Sequence, residues 1–226
     1  VVAIYKATPR KRRRFTAGAD RVGSYYGRYS GRGAELKFHD VDHDDAVITA
    51  GGTIVPTINI IAQGVTESTR VGRKCTIKSI HWRYRINLIE QDAVATPPAG
   101  DTVRVMVYLD RQCNDAAAGV TDILETNSWQ SFRNLANTSR FQILLDKLVN
   151  INYNNLASDN AAVVSSTVHD QDYIFNKKCN IPIEFNNVAN DGSLATIRSN
   201  NIGTLLVAAR GNAVMASKFR LRFSDQ

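Results

Sequence analysis

After residue 35 the chain alternates apolar and polar residues with a period of two, in runs separated by turn-forming stretches. Over 76–88, Ile80, Trp82, Tyr84, Ile86 and Leu88 fall on one side of an extended backbone, and His81, Arg83, Arg85 and Asn87 fall on the other. That is a strand with one face in a core and the other in water. Residues 102–110 repeat the pattern, with Val103, Val105, Val107 and Leu109 opposite Arg104, Met106 and Tyr108. At the C-terminus Phe219, Leu221 and Phe223 alternate with Lys218, Arg220 and Arg222. Further runs at 36–41, 54–61, 140–151, 169–176, 180–185 and 203–210 bring the expected strands to eight or nine. The count fits an all-β fold, a single jelly-roll β-sandwich of eight strands in two sheets. Residues 90–100 and 156–166 lack strand patterning and read as long exposed loops. One short helix is expected, over 128–135, with Ser128 as its N-cap.

Charge divides the chain differently from hydropathy. The 226 residues carry 28 Lys plus Arg and 21 Asp plus Glu, a formal +7. Residues 1–37 hold ten of the basic residues and two of the acidic ones, a local +8, which leaves 18 basic and 19 acidic residues for 38–226. Residues 1–34 have five glycines between Gly18 and Gly33 and few aliphatic residues after Ile4, so they cannot build a core of their own. They read as an extended or partner-ordered arm, and 35–226 read as one domain large enough to bury about 70% of its unfolded surface. An extended arm of this length reaches roughly 110 Å at ~3.3 Å per residue. Val1 rather than Met opens the sequence, as expected where numbering starts inside a longer polypeptide.

Several function classes drop out at this point. The longest apolar runs, 60–62 and 205–209, are far below the ~20 residues of a membrane-spanning helix, and no signal peptide opens the chain, so neither membrane insertion nor secretion is expected. Cys75, Cys113 and Cys179 are odd in number and widely spaced, which fits neither a disulfide scaffold nor a CxxC metal site; they read as reduced thiols. No nucleophile elbow, Walker loop, GxGxxG or HExxH occurs, so an enzyme is not expected and no cofactor is implied. His81 and His169 are isolated within strand patterns, and Asp110-Arg111-Gln112 reads as turn chemistry at a strand end. The segment HDVDHDD (39–45) sets two histidines among four aspartates. On a strand, His39 and His43 are not brought together as i, i+4 residues of a helix would be, so no metal site is expected, and the segment reads as an acidic turn or a contact to a basic partner.

The arm is where chemistry concentrates. Arg10, Lys11, Arg12, Arg13 and Arg14 are five consecutive cations, a density that polyanions favour and a packed core does not, and one that also matches a nuclear import signal. Tyr5, Phe15, Tyr25, Tyr26 and Tyr29 lie among the charges, and Arg28 and Arg32 continue them through YYGRYSGRG. Aromatic faces stack on unpaired bases for ~1–3 kcal/mol per base, which a purely electrostatic tail would not need. The combination points to single-stranded nucleic acid, and the glycines let the backbone follow an irregular partner closely.

Four segments in the same order, RVGRKCTIKSIHWRYRINL (70–88), DTVRVMVYLDRQCNDAAAGVTDIL (101–124), SRFQILLDKLVNI (139–151) and GTLLVAARGNAVMASKFRLRFSD (203–225), resemble the capsid proteins of circular Rep-encoding single-stranded DNA viruses, geminivirus-like and circovirus-like. Residues 152–200 match none of these motifs. The resemblance implies a single jelly roll that assembles with identical subunits, about 60 in a T=1 icosahedral shell, around a single-stranded DNA genome. It implies a virion protein that meets the host nuclear import machinery and, in assembly, the host nucleus. The jelly-roll topology it implies sets the last strand beside the third, so that Arg104 would share a sheet face with Lys218, Arg220 and Arg222 and give the genome a second basic surface. Three other readings stand beside it: the coat protein of a small RNA or satellite virus, a non-viral β-barrel nucleic-acid-binding module, and a β-sandwich hydrolase or lectin that uses 39–45.

Overall fold

The computed structural model describes residues 36–55, 57–88, 100–113, 116–155, 166–168, 171–186 and 192–225. Its ten strands are β1 (Leu36–Ile48), β2 (Thr53–Val55), β3 (Lys74–Leu88), β4 (Gly100–Asp110), β5 (Phe141–Asn155), β6 (Ser166–Val168), β7 (Gln171–Phe185), β8 (Ile197–Ser199), β9 (Asn201–Ala208) and β10 (Ala213–Asp225). They form two antiparallel sheets, in the orders β1-β10-β3-β7-β8 and β2-β9-β4-β5-β6. The short strands β6 and β8 extend one edge of each sheet. Set them aside, count the remaining eight in chain order, and the sheets read 1-8-3-6 and 2-7-4-5. Successive strands alternate between sheets except the fourth and fifth, which pair with each other in the second sheet, and that order is the doubled Greek key of a jelly roll. The fold class expected from sequence is the observed one, with ten strands where eight or nine were expected.

The alternation explains which side faces in. On β10 the inward residues Met215, Phe219, Leu221 and Phe223 are fully buried while Lys218, Arg220 and Arg222 are exposed. On β3, Trp82 stacks on Phe219 at 4.7 Å and on Tyr84 at 4.1 Å between ring centroids, and Tyr84 continues onto Tyr173 of β7 at 5.1 Å. This aromatic row crosses three adjacent strands and packs against Val103, Val105 and Val107 of the facing sheet within one core. A residue's worth of irregularity in β3, between Ile77 and Ser79, corrects the register so that Cys75 and Ile77 also point inward.

Four sequence expectations are corrected. The run 54–61 gives only the three-residue β2: Pro56 has no N–H for a ladder, and buried Asn59 takes over pairing, accepting from the Ile202 N–H at 2.9 Å and donating to the Asn200 carbonyl at 3.1 Å. The runs 169–176 and 180–185 are one strand, β7, because the inward set Tyr173, Phe175, Cys179, Ile181, Ile183 and Phe185 never breaks step across the polar Asn176-Lys177-Lys178. No helix forms over 128–135; helical turns occur instead at α1 (Val120–Ile123) and, as a 3-10 turn, at Leu135–Asn137. Finally, β4 is buried on both faces, since the connection from β4 to β5 lies over its outer side and forms a second apolar cluster of Met106, Tyr108, Ile123, Leu124, Phe141, Leu205 and Val207. The loops expected at 90–100 and 156–166 fall almost wholly outside the described residues, as does His169.

Candidate nucleic-acid and assembly surfaces

Most of the expected nucleic-acid residues, Arg10 to Arg14, Phe15, Tyr25, Tyr26, Arg28, Tyr29 and Arg32, lie outside the described residues. The chain that carries them enters β1 at Leu36. Lys37, counted above with the basic segment, belongs to the fold: it is buried, pairs with Asp225 at 2.9 Å and donates to the Thr69 carbonyl at 3.0 Å. Without it, residues 1–35 hold nine basic and two acidic residues, and 36–226 hold 19 of each. The formal charge of the body is zero.

The outer face of the β1-β10-β3-β7 sheet collects the remaining expected cations on the C-terminal strand. Cross-strand register aligns Phe38, Arg222 and Ser79; then Asp40, Arg220, His81 and Asn176; then Asp42, Lys218, Arg83 and Ile174. The aspartates of β1 neutralise part of this face. Arg220 donates two hydrogen bonds to Asp40, at 2.7 and 2.6 Å, and Lys218 pairs with Asp42 at 3.1 Å. On the other flank Arg85 donates twice to Asp172, at 2.7 and 3.1 Å. Arg222 and Arg83 have no ion pair among the described residues. Such exposed pairs contribute little stability each, but they fix where the long side chains lie.

Arg104 is elsewhere. The last strand does lie beside the third, β3, yet Arg104 is on β4, the fourth, in the opposite sheet. It shares no face with Lys218, Arg220 or Arg222, and its side chain is only 11% exposed. It donates to both oxygens of Asp146 at 2.8 Å, and to the carbonyls of Trp129 (3.3 Å) and Ser131. In a helix over 128–135 those carbonyls would accept from backbone amides four residues on; here they accept from Arg104. Arg104 is a staple between the sheet and the segment that covers it. Beside it lie Phe132 and Leu135, 79% and 73% exposed, and Leu148, which is directly opposite Arg104 on β5. Exposed side chains of that size, grouped together, mark a contact surface more than a solvated one.

No family model and no curated protein matches the chain. Among solved structures it is similar to a chain of Desmodium yellow mottle tymovirus, at 10% identity and a TM-score of 0.34, over 99% of this chain and 94% of that one. The jelly-roll assignment rests on strand order and not on this likeness.

The acidic segment 39–45 is strand and not turn. It runs through β1, with Asp40 and Asp42 outward against the basic strand of the same chain and His39 and His43 inward. No group of three or more metal-ligating side chains occurs among the described residues. The cysteines are free thiols; burial pushes Cys75 up to about 12 and Cys113 to about 11, which keeps both protonated and unreactive at neutral pH. Asp110 behaves as turn chemistry, accepting from the Gln112 N–H at 3.0 Å and from Arg140 through both oxygens.

These groups set a two-step pH dependence. Burial holds the imidazoles of His39 and His43 below the ordinary 6.5, against the opposing pull of Asp40 on the first and of Asp42 and Asp44 on the second. As pH falls through 6.5 the unfolded chain binds more protons than the folded one, so stability drops until both rings are charged in the fold as well. The carboxyls of Asp40 and Asp146 are held below 3.8 by the hydrogen bonds from Arg220 and Arg104, which outweigh desolvation. Their stabilisation is complete above about pH 5 and is lost progressively as pH falls from there through their folded values. Urea midpoints are expected to be flat between about pH 7 and 8 and to decline below that in these two phases; a midpoint that rises from about pH 7 to 5.5 would show the histidines charged inside the fold.

Proposed function

We propose that this chain is the structural subunit of a small icosahedral capsid, of the T=1 type, that packages single-stranded DNA through residues 1–35. The observation that carries the reading is the joining of a jelly roll to a strongly basic, aromatic-rich arm: the jelly roll is an architecture that viral capsids use, and the arm has the composition of a single-strand binder. The formal neutrality of the body supports it, since walls without net charge can pack against copies of themselves while the arm holds the polyanion. The apolar group Phe132, Leu135 and Leu148 supports subunit contact. DNA rather than RNA is favoured by the four ordered sequence motifs, and Arg10 to Arg14 double as the signal that brings the subunit to the host nucleus. The function is structural, without catalysis.

Purified full-length protein is expected to sediment as megadalton particles, to show closed shells in negative stain, and to protect co-purified nucleic acid that DNase, and not RNase, digests after disassembly. A protein that stays monomeric with and without polynucleotide overturns the capsid reading. RNase-sensitive cargo in closed shells keeps the shell and overturns the DNA assignment.

A further inference from the structure

On the outer face of the first sheet, two neighbouring positions break a general rule of strand pairing. Lys218 of β10 and Arg83 of β3 are directly opposite one another. Like charges directly opposite one another in a cross-strand pair are destabilising. The neighbouring pair on the same face is Arg220 opposite His81. These four side chains, with Asp40, line a pocket of about 180 Å³, room for about six waters at ~30 Å³ each. A tetrahedral oxyanion with part of its hydration fits that space.

The pocket is also built in the sense that its donors are already oriented. Arg83 donates its Nε–H to Nε2 of His81 at 3.1 Å, and Nδ1 of the same ring is hydrogen-bonded to the side chain of Asn176. The guanidinium is thereby oriented, and neither of its terminal amino groups has a hydrogen-bond partner among the described residues. Arg220 gives its Nε–H and one terminal amino group to Asp40 and retains the other. Lys218 meets Asp42 through one contact and keeps further N–H donors. Three cations from two adjacent strands face one carboxylate across the pocket.

We infer that this pocket binds a phosphate group, with Arg83 and Lys218 as the principal ligands and Arg220 as a third donor. A phosphate oxygen between Lys218 and Arg83 converts their repulsion into two charge-assisted hydrogen bonds, and guanidinium geometry suits two oxygens of the same group. The phosphate is supplied either free or by a nucleic-acid backbone. The second source rests on the packaging reading above and gives the body a backbone contact independent of the arm. Arg222, one row away and opposite Ser79, lies outside the pocket.

The test uses the full chain and inorganic phosphate, replaced stepwise for chloride at constant ionic strength. Phosphate is expected to raise the thermal midpoint of the wild type by a few degrees, and Arg83→Gln or Lys218→Gln to abolish the rise. In chloride alone both variants are expected to melt no lower than the wild type, because each removes a like-charge neighbour; a merely structural arginine would lower the midpoint. A wild type that melts alike in both salts, or variants that keep the phosphate shift, overturns the site. Displacement of phosphate by an oligothymidylate of about ten nucleotides supports the backbone source, and a phosphate shift that the oligonucleotide does not compete for overturns that source. Substituting Arg10, Lys11, Arg12, Arg13 and Arg14 by Gln separates the two ideas. If the phosphate shift persists in that variant the pocket stands even where packaging fails, whereas oligonucleotide binding without any phosphate shift in the wild type sinks the pocket alone.

Discussion

Protein lacking residues 1–33 is expected to fold, to show the melting cooperativity of the full chain, and to encapsidate no polynucleotide. Nine basic residues in 1–35 give a salt slope of about −6 for single strands, at ~0.7 per neutralised phosphate. Between about 50 and 200 mM salt the full chain should therefore lose on the order of 10³ in affinity for oligothymidylate, and the truncated chain about tenfold or less. Replacing Tyr25, Tyr26 and Tyr29 by Ala separates stacking from charge: affinity falls by ~1–3 kcal/mol for each base that loses its platform, while the slope stays where it was. Filter binding across a salt series reads both quantities. A truncated protein that still protects full-length polynucleotide from nuclease removes the arm from the packaging mechanism.

That experiment addresses the part of the molecule most legible in sequence. Five consecutive cations, interleaved aromatics and glycines need no tertiary context to be recognised. Strand patterning was legible for the same reason wherever one face meets the core and the other meets water, as in β3 and β10, where every inward residue named from sequence is buried. Legibility failed where tertiary structure changes the environment of a face. The outer side of β4 looked solvated because Arg104 interrupts an apolar run, but the segment 116–140 covers it and turns Met106 and Tyr108 into core. Charge bookkeeping failed in the same way at Lys37, which local composition assigns to a polyanion-binding tail and which the fold uses against Asp225. The acidic run 39–45 made sense only once β1 was seen beside β10, since its partners are some 180 residues away in sequence. One signal was available: acidic residues at every second position of the first strand match basic residues at every second position of the last, as expected of neighbours in a sheet.

Arg104→Met is expected to separate a structural arginine from a nucleic-acid ligand. Methionine keeps most of the aliphatic stem and removes the guanidinium that holds Asp146 and the carbonyls of Trp129 and Ser131. Breaking a buried pair on one side costs about 3–5 kcal/mol. Here the carboxylate left behind is 25% exposed and has Arg133 at 3.7 Å, which screens it, so the cost is expected nearer 2–3 kcal/mol, or roughly 4–12 °C in melting temperature for a domain of this size. The covering segment loosens first, because its carbonyls lose their anchor, and hydrogen exchange should accelerate at 120–137 before it does in β3 or β10. The salt slope for oligothymidylate should not change, since a side chain committed to Asp146 neutralises no phosphate. A slope smaller by about 0.7, with stability intact, would return Arg104 to the genome surface. The double substitution Arg104→Met with Asp146→Leu closes the argument: removing both charges and filling their space with apolar volume should recover much of the lost stability, and recovery of folding with no recovery of any nucleic-acid phenotype is what a staple, and not a ligand, would give.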